Sequence, residues 1–269
     1  MGQRHAFSLV GSVLAADGWA VSNSATKSRV AVITGGSSGI GLEVGRQLIA
    51  AGYVVVLTAR RPDVLKQSAE SIGAQWLAGD ASDSESFNEV VTQVGTQHGR
   101  IDLMVHAAGT MGGTFVRKET LAEFDRILSV NLSSAFVVAN ASLRFMEPGA
   151  KFIFVSSSSA HQPHPGRAAY SASKAGLNAF AAAFAKEVER DGIGVHVLTV
   201  GPVRTPMIED VRFPMHTLGV EEVAAAIVWL DTIPGNVRLP EVQLSSVEDG
   251  PMAPELFVPE AAKKLGRTN

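Results

Sequence analysis

From Val30 onward the chain alternates short apolar runs with helical stretches, a rhythm that few folds admit. Strand-like runs fall at Val30–Ile33, Tyr53–Thr58, Gln75–Ala78, Ile101–Val105, Lys151–Val155 and Ile193–Val200. Helical patterns fill the intervals: Ile40–Ala51, Pro62–Ile72 with proline near its first turn, Asp83–Gln97, a long stretch Leu121–Phe145, Ala168–Asp191 before a stop at Gly192, and Glu221–Leu230. Several runs are apolar throughout, which predicts a mainly parallel sheet covered by helices on both faces. The expected fold class is therefore α/β, doubly wound, in three layers. Ligands of such sheets bind beyond the carboxyl ends of the strands, so residues just after each run are the ones to read for function. Beyond Pro202 the pattern weakens, and the Pro-rich segment from Pro234 to Asn269 yields no assignment.

Composition narrows the function. Hydrophobic residues at 46% supply a core, and 18% charge argues against disorder. A net charge of −3 without blocks of like charge speaks against a nucleic-acid partner. The absence of cysteine excludes disulfides, thiol catalysis and Cys-ligated zinc. No unbroken apolar run reaches the length of a spanning helix, so no membrane segment is expected. No cluster of His and carboxylates argues for a metal. Residues 1–28 differ from the rest. Ala6–Ala16 is mildly apolar behind Arg4 and His5, in the manner of a signal peptide, yet Ser8, Gly11 and Ser12 break it. The preferred reading is a poorly ordered or loosely docked extension, with Ser22–Ser28 as linker, ahead of a single domain over 29–269 in a cytoplasmic protein.

Two motifs carry chemistry. Thr34-Gly35-Gly36-Ser37-Ser38-Gly39-Ile40-Gly41 joins the first strand to the first helix. Glycines there let backbone approach a pyrophosphate, and the helix N-terminus offers free N–H groups, so Gly35, Ser37, Ser38, Gly39, Ile40 and Gly41 are candidate phosphate contacts. Four glycines so close together are hard to ascribe to packing. Tyr170 and Lys174 stand four apart on a helix, hence on one face. An ammonium beside the phenol stabilises phenolate, which makes the pair a means of moving a proton at a carbonyl or alcohol oxygen.

The spacing T-G-x-x-x-G-x-G, combined with Tyr170-x-x-x-Lys174, resembles the classical short-chain dehydrogenase/reductase family over roughly Arg29 to Leu230. The resemblance implies a Rossmann-type fold and an NAD(P)-dependent enzyme. Hydride would pass between nicotinamide C4 and a carbonyl carbon. Tyr170 would give or take the proton, Lys174 would lower its pKa and bind ribose, Ser157 would orient the substrate oxygen, and Asn131 would support a proton relay. Ala59 stands where NAD-binding relatives carry an acid, and Arg60 and Arg61 follow it, so NADP(H) is preferred and NAD(H) is the other candidate. Asp80 with Ala81 matches the adenine-contacting position. Ala107 and Gly109, in His106-Ala107-Ala108-Gly109, replace an N-N-A-G segment, and His106 reads as structural. Val203 and Thr205 match the nicotinamide-end segment, with Val200 in place of a proline.

Substrate choice in the family rests on loops that here contain Met111, His161, Gln162, His164, Met207 and Phe213, with a short lid near 206–218. The implied partner is a small carbonyl or alcohol substrate. The implied assembly is a homodimer through the long helices, or a homotetramer. Two other readings compete: a non-catalytic NADP(H)-binding or sensing protein on the same fold, and an epimerase or dehydratase.

Overall fold

The computed structural model describes residues 28–208, 216–235 and 237–246. The apolar runs become β1 (Val30–Thr34), β2 (Val54–Ala59), β3 (Gln75–Ala78), β4 (Leu103–His106), β5 (Lys151–Ser157) and β6 (Gly194–Val200). A further strand, β7 (Glu241–Leu244), comes from the segment without a sequence assignment. The sheet order is β3-β2-β1-β4-β5-β6-β7, and every pairing is parallel.

Successive side chains of a strand face opposite sides, and both sides are apolar here. Val32, Met104, Phe152 and Phe154 pack with α3 (Ser84–His98), α5 (Ser134–Ser142) and α6 (Ala168–Glu187). Ala31, Ile33, Leu57 and Ile153 pack with α1 (Gly39–Ala50), α2 (Pro62–Ile72) and α7 (Val220–Thr232). Each fully buried Phe or Leu contributes about 1.5–3 kcal/mol, so the two half-cores make the sheet a rigid platform. This is the three-layer, doubly wound Rossmann-type architecture.

Several local expectations change. Leu121–Phe145 is not one regular helix. It runs as α4 (Leu121–Leu128), a π-helical segment (Ser129–Ser133), α5 and a short 3-10 turn (Leu143–Phe145). By length and composition this stretch would also cross a membrane, although no unbroken apolar run announced it. Its apolar residues Ile127, Ala135 and Val138 are instead buried in the core. Ile101 and Asp102 precede β4 rather than join it, because Asp102 caps the sheet edge by accepting from Val30 N at 2.8 Å. The last turn of Ala168–Asp191 is a separate 3-10 turn (Glu189–Asp191), ended by Gly192 at φ 69°. The extension over 1–27 and Phe213 lie outside the described residues. The lid is described at 206–208, a 3-10 turn, and at 216–218.

Candidate active site

After β1 the chain works outward to β3, then crosses back to β4 on the other side of β1. The loops leaving β1 and β4 therefore part, and a crevice opens between them at the carboxyl ends of the strands. A cavity of about 1370 Å³ occupies that place. It exceeds the roughly 300–1,000 Å³ of a drug-sized site and has room for a dinucleotide with a small substrate.

Gly35, Ser37, Ser38, Gly39, Ile40 and Gly41 line one end, with Arg60, Arg61, Asp80 and Ala81 beside them. Packing demands these glycines after all. Gly35 has φ 69°, and a Cβ there would stand 2.9 Å from the Ala107 carbonyl; one on Gly41 would stand 2.5 Å from Gly35 O. The glycines thus fold the turn. What points to a ligand is the helix start they expose. Ser38 makes no side-chain cap, and no acid lies in the first turn of α1, so its leading N–H groups and positive dipole end face the cavity. Neither the Arg60 nor the Arg61 guanidinium has a partner among the described residues. The Thr58 hydroxyl, also on the cavity wall, is buried without one. Asp80 Oδ1 is held in a local turn by Ser82 N at 2.9 Å and Ser82 Oγ at 2.7 Å. This end fits an anionic dinucleotide.

Ala107, Gly109, Met111, Ser157, Gln162, His164, Tyr170, Lys174, Val203, Thr205 and Met207 line the rest. Ser157 ends β5, where its Oγ accepts from Ser159 N at 3.2 Å. Tyr170 sits in the first turn of α6, on the same cavity wall as Ser157. Burial pushes the Tyr170 phenol above its ordinary value, and the Ser157 hydroxyl and the Arg167 charge pull it partly back.

Lys174 lines the cavity one turn beyond Tyr170. Its Nζ donates to Val155 O at 2.9 Å, which ties α6 to β5 and uses one of its three N–H donors. Burial lowers its own pKa to about 8.

Asn131 and His161 do not line the cavity. Asn131 is fully buried in the π-helical segment; its Oδ1 accepts from Thr110 N at 2.8 Å, and its Nδ2 donates to Thr110 O at 2.9 Å and Ser173 Oγ at 3.0 Å. Its amide clamps the loop after β4 to α6. His161 follows a 3-10 turn (Ser158–Ala160) that carries it outward to β7. There its Nε2 meets Glu241 Oε1 at 2.6 Å, and Thr199 Oγ1 donates to the same oxygen at 2.6 Å.

His106 is a structural hub. Its Nδ1 lies 2.9 Å from Thr34 Oγ1 and its Nε2 3.0 Å from Ser134 Oγ. Ser134 Oγ donates to Val130 O at 2.6 Å, so it accepts from Nε2–H. Thr34 Oγ1 accepts from Ala108 N at 3.0 Å and donates to Nδ1. One neutral ring thereby joins the end of β1, the loop after β4 and the π-helical segment. Burial, helped by the Lys174 charge, lowers its pKa to about 3, so it stays neutral.

Sequence reading missed Arg167, three residues before Tyr170 and therefore on its side of the helix start; that spacing was the available signal. It also missed Gln243, Leu244 and Ser245 on the cavity wall, because β7 is too short to stand out in a Pro-rich tail.

A family model described as short chain dehydrogenase matches residues 29–215. An acetoacetyl-CoA reductase of Acinetobacter sp. is 31% identical over 225 residues, covering 76% of this chain and 91% of that protein. A 3-oxoacyl-[acyl-carrier-protein] reductase of Salmonella typhimurium is 30% identical over 217 residues, covering 75% and 89%. Among solved structures, BdcA in complex with NADPH superposes with a TM-score of 0.75 at 25% identity over 82% of this chain and 95% of that one. A short chain dehydrogenase from Burkholderia cenocepacia J2315 in complex with NADP gives 0.73 at 25% over 81% and 95%.

Proposed function

The chain belongs to the short-chain dehydrogenase family, and from that membership we propose an NADP(H)-dependent oxidoreductase that interconverts a carbonyl and an alcohol, with Tyr170 as general acid and base. The observation that carries this reading is the convergence of the Tyr170–Ser157 pair and the uncapped start of α1 on one cavity.

NADP(H), when bound, supplies or accepts the hydride. The protein's own residues do the rest. The start of α1 binds the pyrophosphate through its free N–H groups. Arg60 and Arg61 hold the 2′-phosphate, a choice favoured by Ala59 in the acid's place and by the cofactors of the two related structures. Ser157 donates a hydrogen bond to the substrate oxygen and stabilises charge that develops there. Tyr170 moves the proton at its Oη. Its raised pKa keeps that proton in place at neutral pH. Lys174 and Asn131 position α6, β5 and the loop after β4 around the phenol. A protein that only sensed the nucleotide would have no use for a phenol paired with a serine at this wall. The α5 face, on which Phe136 is 58% exposed, is the surface for a homodimer.

The test is NADPH consumption with a panel of aldehydes and ketones, together with fluorescence titration of both nicotinamides. We expect turnover of at least one carbonyl and tighter binding of NADPH than NADH. Arg60→Ala and Arg61→Ala should each weaken NADPH by about 10- to 100-fold and leave NADH unchanged. No turnover of any carbonyl with either cofactor defeats the catalytic reading, and equal loss for both cofactors defeats the arginine assignment.

A further inference from the structure

Net charge is −3 for the chain, yet among the described residues the cavity wall carries a single acid, Asp80, at the nucleotide end. Around Tyr170 the wall instead presents Arg167 and Lys174. Lys174 is anchored deep in the wall on the Val155 carbonyl. Arg167 presents the larger donor set. Its Nη1 donates to Gly112 O at 3.1 Å, and the rest of its five-donor fork has no acceptor among the described residues. No carboxylate pairs with it. The acids of the adjoining segment are committed elsewhere: Glu119 Oε2 accepts from Thr114 N at 2.7 Å, and Glu123 grips Arg126 through two bonds of 2.7 Å.

A half-buried guanidinium without a counter-ion is costly, and a ligand anion is the economical remedy. Resting on the carbonyl–alcohol reading above, we propose that Arg167 is the substrate-specificity residue and that the substrate is an oxo acid whose carboxylate it binds. The placement selects this class. Arg167 stands at the N-cap position of α6 and Tyr170 in its first turn, and both side chains line the same cavity. A carboxylate a few bonds from the reacting carbonyl can reach the guanidinium while the carbonyl oxygen faces the phenol, and its two oxygens match the planar fork.

The experiment pairs 2-, 3- and 4-oxo acids with their methyl esters, adds neutral ketones, and measures kcat and KM with NADPH for the wild type, Arg167→Met and Arg167→Lys. Wild type should prefer at least one acid over its ester by about 10- to 100-fold in kcat/KM. Arg167→Met should erase that preference by raising KM for the acid about 10- to 100-fold more than KM for the ester, and Arg167→Lys should restore part of it. Calorimetric titration of the matching oxo acid into the protein loaded with oxidised NADP, a pair with no hydride to transfer, gives a readout apart from turnover: binding should weaken to the same degree in Arg167→Met. Acid and ester used alike by the wild type, or both lost alike in Arg167→Met, would overturn the proposal. Reduction of neutral ketones but of no acid would overturn it while leaving the hydride-transfer reading intact. Failure of every compound, acid or neutral, strikes that reading itself.

Discussion

The chain has two tyrosines, and they stand at opposite ends of the parallel sheet. Tyr53 enters β2 at the amino end. Its hydroxyl donates to Asp231, which also receives both Arg29 nitrogens at 2.7 and 2.9 Å and pairs with Lys151 at 3.7 Å. Arg29 lies over the Tyr53 ring at 4.8 Å. Burial and the Asp231 carboxylate together raise the Tyr53 pKa well beyond its ordinary value, and nothing there awaits a ligand. Tyr170 at the carboxyl end is raised as well, but its neighbours Ser157 and Arg167 work against the shift, and a cavity lies in front of it. The same side chain is a fastener where a carboxylate holds its hydroxyl, and fronts an open cavity at the other end.

Removing the same atom from each ring is the strongest way to break this contrast. Tyr170→Phe should lower kcat by about 10²–10⁴-fold, since it deletes the proton donor, while NADPH affinity stays near that of the wild type. Stopped-flow turnover beside a fluorescence titration checks both; a near-normal kcat would end the assignment.

His106 sharpens the contrast, because it sits at the cavity end yet is saturated like the amino end. Its folded pKa of about 3 lies below the 6.5 of an unperturbed imidazole. Between those values the unfolded chain binds the proton and the native protein does not, so stability conferred above pH 6.5 is lost as pH falls toward 3. By pH 4.5 this amounts to about 2–3 kcal/mol. His106→Asn should flatten that part of the profile, measured by urea unfolding at pH 7 and pH 4.5 against the wild type. An unchanged pH dependence would mean the ring does not stay neutral.

Tyr53→Phe should have the smallest effect. It removes one hydrogen bond to a carboxylate, worth about 1.5–3 kcal/mol, from denaturant stability and leaves kcat/KM unaltered. A loss of turnover in the folded variant would show that the two ends are coupled.

Legibility followed chemistry rather than position. Strands β1, β2, β4, β5 and β6 were readable because both sheet faces are buried there and their runs are mostly apolar; β3, as exposed as β7, was readable from its place in the alternation. β7 was not, since four half-exposed residues, Glu241–Leu244, carry no such signal. The glycine-rich turn and Tyr170 stood out because they use residue types that ordinary packing rarely requires together. The Lys174 bond to the Val155 carbonyl was not legible, because helix spacing fixes which face a side chain leaves from, not which acceptor its long stem reaches. His161 misled for a related reason: its partner Glu241 lies eighty residues away, on the strand that could not be seen.

By itself, then, the sequence determined the alternation and the sheet type and singled out Tyr170 as the candidate for moving the proton, all of which depend on local periodicity and side-chain chemistry. Tertiary structure alone decided which charges are answered. Asp231 meets Arg29 across 202 positions, whereas Arg167 meets no carboxylate at all among the described residues. Pairing of charge depends on distances that only the folded chain sets, and here that pairing separates the end of the sheet that holds the molecule together from the end that is left ready to bind.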